Sequence, residues 1–149
     1  MSLQDETRVR VVSSLLALAE RVEGLSGPCR TTDQDIGCSL GLFEIMPPKN
    51  AYVRGIIFAK IEEDGSRTIP GNGDGDALIP CFTASLDAAI TLVPEGFEWM
   101  ADNFDGPPGR RCSANVMRKE IDARGEAATP ALALCAAALK ARAQSGEQT

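Results

Sequence analysis

Apolar positions near the start of the chain recur at helical spacing. Val11, Leu15, Leu18, Val22 and Leu25 stand 4, 3, 4 and 3 residues apart, and Arg8, Arg10, Glu20, Arg21 and Glu23 fall mostly off that stripe. This predicts an amphipathic helix over residues 5–25, closed by Gly27-Pro28. Thr32-Asp33 reads as the cap of a second, shorter helix carrying Ile36, Leu40 and Phe43, with Gly37 and Gly41 weakening it. Residues 5–43 thus form an N-terminal helical part, and Pro47-Pro48-Lys49-Asn50 breaks the chain after it.

The period then falls to two. Between Tyr52 and Ile61 one face carries Val53, Gly55, Ile57, Ala59 and Ile61, and the other alternates Tyr52, Arg54, Ile56, Phe58 and Lys60. Glu63-Asp64-Gly65-Ser66 predicts a hairpin turn and a short return strand over residues 67–69. Residues 70–77 read as a flexible acidic loop, and Pro80-Cys81-Phe82-Thr83 as a brief extended entry. Ser85 caps a short helix over residues 85–93 with Leu86, Ala89, Ile90 and Val93 inward. Phe97, Trp99 and Ala101 alternate with Glu98, Met100 and Asp102, as in a strand. Asp105-Gly106-Pro107-Pro108-Gly109 turns the chain, and Arg110 to Lys119 returns as its partner. Residues 52–119 therefore hold hairpins plus one short helix.

Thr129 caps the closing helix, 129–143, and Pro130 takes its first position. Leu132, Cys135 and Leu139 form one apolar line with Leu134 and Ala138 beside it. Most of the other positions up to Ala138 are alanine, and charge enters only at Lys140 and Arg142. A helix apolar all round must be covered on more than one side, either within the core or at a subunit interface. A homo-oligomer assembled through this helix is the expectation. Residues 144–149 read as a frayed tail.

Composition narrows the chemistry. The chain has 149 residues, 15 Lys+Arg against 21 Asp+Glu, a net charge of −6 and no histidine. That length suits a single domain, 1–149. Without histidine, Ser-His-Asp and Cys-His catalysis and His-ligated metal sites are excluded. The acidic balance disfavours duplex DNA as a partner, and no apolar run is long enough for a membrane span. The polar start and the absence of CxxC pairs suggest reduced thiols in a cytoplasm. Of Cys29, Cys38, Cys81, Cys112 and Cys135, the first and fourth are the better candidates for exposure, Cys112 following Arg110-Arg111 and Cys135 reading as a small core residue. Asn72, Asp74 and Asp76 superficially resemble the opening of a calcium loop. Ala77 and Thr83 stand where that loop needs Gly and Glu, so no metal is expected there.

Residues 110–124 hold Arg110, Arg111, Arg118, Lys119 and Arg124 against Glu120 and Asp122, a local charge of 5 − 2 = +3. Such a patch on an acidic chain reads either as a solvated strand end and loop or as a small-anion site. Trp99 reads either as a core aromatic or as a stacking platform. The candidate ligand-binding set is Trp99, Arg110, Arg111, Arg118 and Lys119, with no catalytic residue and no cofactor.

The runs from Phe82 to Trp99 (FTASLDAAITLVPEGFEW) and from Ala128 to Arg142 (ATPALALCAAALKAR), with Leu15 to Glu23 before them, resemble small phage and prophage proteins of the phage ABA sandwich group. In that group a helix with a D-A-A core precedes an aromatic-bearing hairpin, and a T-P-A-L-A-L helix closes the domain. The resemblance covers roughly residues 8–143 and is loosest between 44 and 79. It implies an α+β fold, an α/β/α sandwich with an antiparallel sheet between helices, which the pattern above supports independently. It also implies a phage accessory protein, and some look-alikes of similar size are anti-defence proteins that sequester cyclic nucleotide signals. The expectation is a non-enzymatic binder of a small anionic or nucleotide ligand. The alternative is a protein–protein inhibitor or assembly factor acting through the acidic surface.

Overall fold

The computed structural model describes residues 3–46, 57–69, 76–103 and 111–145. Helix α1 (Leu3–Glu23) buries Leu15, Leu18, Ala19 and Val22, the inner part of the expected stripe, and leaves Val11 and Leu25 half-buried. Helix α2 (Arg30–Ser39) begins earlier than its sequence suggests. Cys29, not Thr32-Asp33, is its N-cap, and Thr32 and Asp33 lie buried inside the first turn. Phe43 does not extend this helix. Gly41, at φ 74, takes the left-handed conformation, and the N–H groups of Gly41 and Leu42 donate to the carbonyls of Cys38 and Gly37 at 3.1 and 3.0 Å. That pair of bonds is a Schellman termination. It turns the chain so that Phe43 opens strand β1 (Phe43–Met46) and its ring folds back on Gly37.

β1 pairs antiparallel with β2 (Ile57–Ile61), which pairs antiparallel with the short β3 (Arg67–Thr68). The hairpin turn and return strand are as expected. The first half of the expected strand, residues 52–56, lies outside the described residues, as do positions 70–75 of the acidic loop. Residues 81–85 form a turn, with Ala84 and Ser85 N–H donating to the Cys81 carbonyl, where a brief extended entry was expected. The Ser85 hydroxyl then caps α3 (Leu86–Ile90) by accepting from Ala88 N–H at 3.3 Å. Past Ile90 the bonds tighten to a three-residue repeat through Leu92 and Val93. That repeat stacks Leu92 over Ala89, so both are fully buried, although the helical pattern does not place Leu92 inward.

The second sheet is a meander of β4 (Glu98–Asn103), β5 (Cys112–Arg118) and β6 (Ile121–Ala127), where the sequence predicts only a hairpin. Register places Trp99, Val116 and Ala123 in one row and Ala101, Ala114 and Gly125 in the next, all on one face. Helix α4 (Pro130–Ser145) packs on that face, α1 packs on α4 and also meets β6, and α3 packs on α4. Every residue from Ala131 to Leu139 is buried within this one chain. The cover that an all-round apolar helix requires is thus supplied internally, and α4 offers no free apolar face for the expected oligomer contact. It also runs to Ser145, past the expected start of fraying; residues 146–149 lie outside the described residues. No described helix is long and apolar enough to cross a membrane.

The α4–β6 contact is made backbone to backbone. A Cβ on Gly125 would stand 2.3 Å from the Ala133 carbonyl oxygen and 2.7 Å from the Ala137 nitrogen. Beside it, the outer edge of β6 is closed by a pair of side chains. Glu23 of α1 accepts from Glu126 N–H at 3.0 Å, Lys140 of α4 donates to the Arg124 carbonyl at 2.9 Å, and the two are ion-paired at 2.9 Å. An edge occupied in this way cannot recruit another strand. Gly125→Ala forces apart two backbones with no side chain able to yield, so the expected loss is about 1–3 kcal/mol, read as a lower urea midpoint at unchanged slope. A variant as stable as the parent would show that the contact is looser than this.

Candidate functional site

The sequence-predicted cations do not gather in one place. β5 carries Arg111 just before its first residue and Arg118 as its last. At about 3.3 Å per residue the two stand roughly 23 Å apart. Arg124 projects from the other face of the sheet and is ion-paired with Glu126 at 3.0 Å. Arg110 lies outside the described residues. Trp99 lies in the inward row, but β4 is the outer strand of the sheet, which leaves it 38% exposed at the margin of the core.

What the fold does assemble is a site at the β5–β6 turn. Gly96, at φ +86, allows a tight turn in which Phe97 N–H donates to the Pro94 carbonyl at 3.2 Å. This turn presents the Phe97 ring beneath the end of β5. The Arg118 guanidinium lies over the ring, 5.6 Å from its centroid, and against Gly96. Lys119 follows in the left-handed region at φ 51, which reverses the chain into β6. Arg118, Lys119 and Glu120 are exposed around an open hollow of ≈ 400 Å³. Phe97 and Ile121 supply its apolar part, and Gln144 and Ser145, from the last turn of α4, close one side. Of the five candidate residues the site thus unites Arg118 and Lys119. Phe97, which is not among those five, supplies the ring beside them.

A second polar cluster joins α2 to residues 76–83. The buried Asp33 carboxylate accepts from Thr83 N–H and Thr83 Oγ1H at 2.8 and 2.7 Å, and from Arg30 Nη1 at 3.0 Å. The other arm of the Arg30 fork reaches the carbonyls of Asp76 and Ile79 at 2.6 and 3.1 Å. Gln34 bonds the Asp76 carboxylate at 2.7 Å and, ahead of Arg30, holds its pKa below the ordinary carboxylate value. A carboxyl depressed by folding stabilises the fold at neutral pH and loses that contribution as pH falls through its lowered pKa. All of these bonds are internal, so the cluster works as a fastener.

The thiols are also sorted by the fold. Cys135 is buried, donates to the Phe82 carbonyl at 3.1 Å, and has its pKa pushed up to about 12 by desolvation, as suits the core residue expected. Cys112 is buried as well, against the expectation of exposure, because it lies in the inward row beneath α4. Cys81 is the exposed thiol. Among the described residues no cluster of His, Cys, Asp or Glu could hold a metal ion. Comparison with protein-family models, curated proteins and solved structures finds no match to this chain.

Asp33→Ala leaves two Thr83 donors and one arm of Arg30 without their acceptor in a buried setting. The expected loss is about 3 kcal/mol or more in a denaturant titration. A loss within about 0.5 kcal/mol, the range of an ordinary surface substitution, would show that residues 76–83 are held by something else.

Proposed function

We propose that the protein is a non-enzymatic binding protein of phage or prophage kind, working in the cytoplasm of a bacterial host, that takes up a small anionic ligand of nucleotide type at the β5–β6 turn. The observation that carries this reading is Arg118 standing over the Phe97 ring, 5.6 Å from its centroid, beside Lys119 at the rim of an open hollow. A guanidinium already held over a ring surrenders less freedom when it grips a phosphate through two parallel N–H···O bonds. Phe97 and Ile121 offer the apolar surface against which a base or ribose can rest. Glu120 shares the hollow, so its formal charge is 2 − 1 = +1. That balance suits a singly charged phosphodiester better than a polyphosphate, which the net charge of −6 also repels.

Calorimetric titration with cyclic mononucleotides, cyclic dinucleotides and cyclic ADP-ribose isomers tests the reading. A cyclic mononucleotide, with its single phosphodiester charge, is expected to bind, and the doubly charged ligands more weakly. Arg118→Ala should weaken it about tenfold or more, the worth of a hydrogen bond to a charged group, while Arg111→Ala, at the far end of β5, leaves it unchanged. Absence of heat with every ligand, or equal losses in the two variants, overturns the proposal.

A further inference from the structure

The meander of β4, β5 and β6 has two outer edges, and the fold treats them differently. The β6 edge is closed by Glu23 and Lys140. β4 pairs with β5 along one side and receives α4 on one face, and among the described residues no strand pairs with its other side. Alternate residues of an antiparallel strand direct N–H and C=O away from the partner, so this side presents a row of backbone donors and acceptors. Edge strands are ordinarily blunted by Lys, Pro or a bulge. β4 has no Lys, Pro or Gly, and its register with β5 runs unbroken from Glu98 to Asn103. Asp102 Oδ1 accepts from Asn103 N–H at 2.8 Å, which takes up the last amide of the strand. A carboxylate keeps further lone pairs for a cation.

The two faces of β4 differ in what they ask of a neighbour. On the face toward α4, Trp99 is still 38% exposed. On the other face Glu98, Met100 and Asp102 are all exposed, Met100 at 54%. The β5 residues opposite Glu98 and Asp102 are Met117 and Ser113, so neither carboxylate has a cation directly across the ladder. A second copy of β4 is a poor match. Paired antiparallel about Met100, it sets Glu98 of each copy against Asp102 of the other, and like charges directly opposite destabilise a ladder. The net charge of −6 adds to that repulsion. A strand carrying cations at those two positions and an apolar residue beside Trp99 answers both needs.

We infer that the open edge of β4 is a docking site for an extended basic segment of another protein, which joins the sheet as a fourth, antiparallel strand. Main-chain bonds along the edge supply affinity, and the side chains supply selection. Lys or Arg of the segment stands opposite Glu98 and Asp102 on the outer face. The residues between alternate, so an apolar side chain falls opposite Trp99 and completes its cover. The partner pattern is thus cation, apolar, any residue, apolar, cation. This edge is a different surface from the β5–β6 hollow and does not depend on what binds there.

The test titrates the intact protein with an acetylated, amidated peptide, Thr-Lys-Val-Thr-Val-Lys-Thr, which sets its lysines opposite Asp102 and Glu98 and a valine opposite Trp99. Trp99 is the single tryptophan of the chain, so its emission reports on the edge directly. A saturable blue shift is expected, weakened by salt. The same peptide with Glu for both Lys should bind about fivefold more weakly or worse, and Glu98→Lys combined with Asp102→Lys should reverse that order. N-methylation of the two valines in one peptide, and of the two lysines in another, distinguishes strand addition from loose charge attraction. Only one of these sets turns its N–H groups toward β4, so one modification should abolish the shift and the other spare it. No saturable shift with the lysine peptide overturns the inference, and so does equal binding of the two charge types or equal loss on both N-methylations. In sedimentation the protein alone should run as a monomer. A dimer whose formation itself shifts Trp99 emission would show a second copy on the edge and equally sink the basic partner.

Discussion

The close approach of α4 to β6 sets the distances on which the rest of the molecule depends. Gly125 has no side chain, and Ala133, Ala136 and Ala137 have almost none, so the helix backbone settles directly on the strand. An alanine-rich helix has little apolar area of its own to bury. Bringing its neighbours close is how it recovers contact at the density of a protein interior. Because α4 touches the sheet, α1 and α3, its position also dictates where those two helices can sit. Fully buried Leu132, Leu134 and Leu139 then supply the larger part of its hydrophobic stabilisation, about 1.5–3 kcal/mol each.

Polar contacts fasten the margins of this stack. Glu23 and Lys140 join α1, α4 and the edge of β6 in one small network, so the edge strand is finished by helices on both flanks. The Arg30 fork and Asp33 do the same for residues 76–83, which would otherwise leave several carbonyls without donors. Arg142, itself buried, gives its Nε to the Leu92 carbonyl where α3 unwinds. Arg118 and Lys119 are presented by the short turn between β5 and β6, with Lys119 in the left-handed region.

The elements legible in the sequence were those whose signal is local. The α1 stripe, the Ser85 cap, the Thr129-Pro130 start and the α+β class with antiparallel pairing all follow from spacing and capping chemistry, and all are present. β6 left no such signal. Its inward residues Ala123, Gly125 and Ala127 are small and poor in strand propensity, and it is a strand because α4 requires a flat, low floor there. Phe43 seemed to continue a helical stripe until Gly41 terminated the helix before it. In the site, counting charge over residues 110–124 merged groups that the length of β5 holds apart. The pairing of Phe97 with Arg118 depends on strand register, which composition does not encode.

The sequence by itself determined which segments are helical, that the closing helix needs cover on every side, and that histidine-based chemistry is excluded. These are properties of spacing, capping and residue type, which act over a few positions. The tertiary structure decided that this cover comes from the same chain and that Trp99 stays at the margin while Phe97 takes the guanidinium. It also decided that, of the two cysteines the sequence marked for exposure, Cys112 is buried and Cys29 is half-buried at the N-cap of α2. Each of these depends on which elements meet at long range, and that is settled by how closely α4 can approach the sheet.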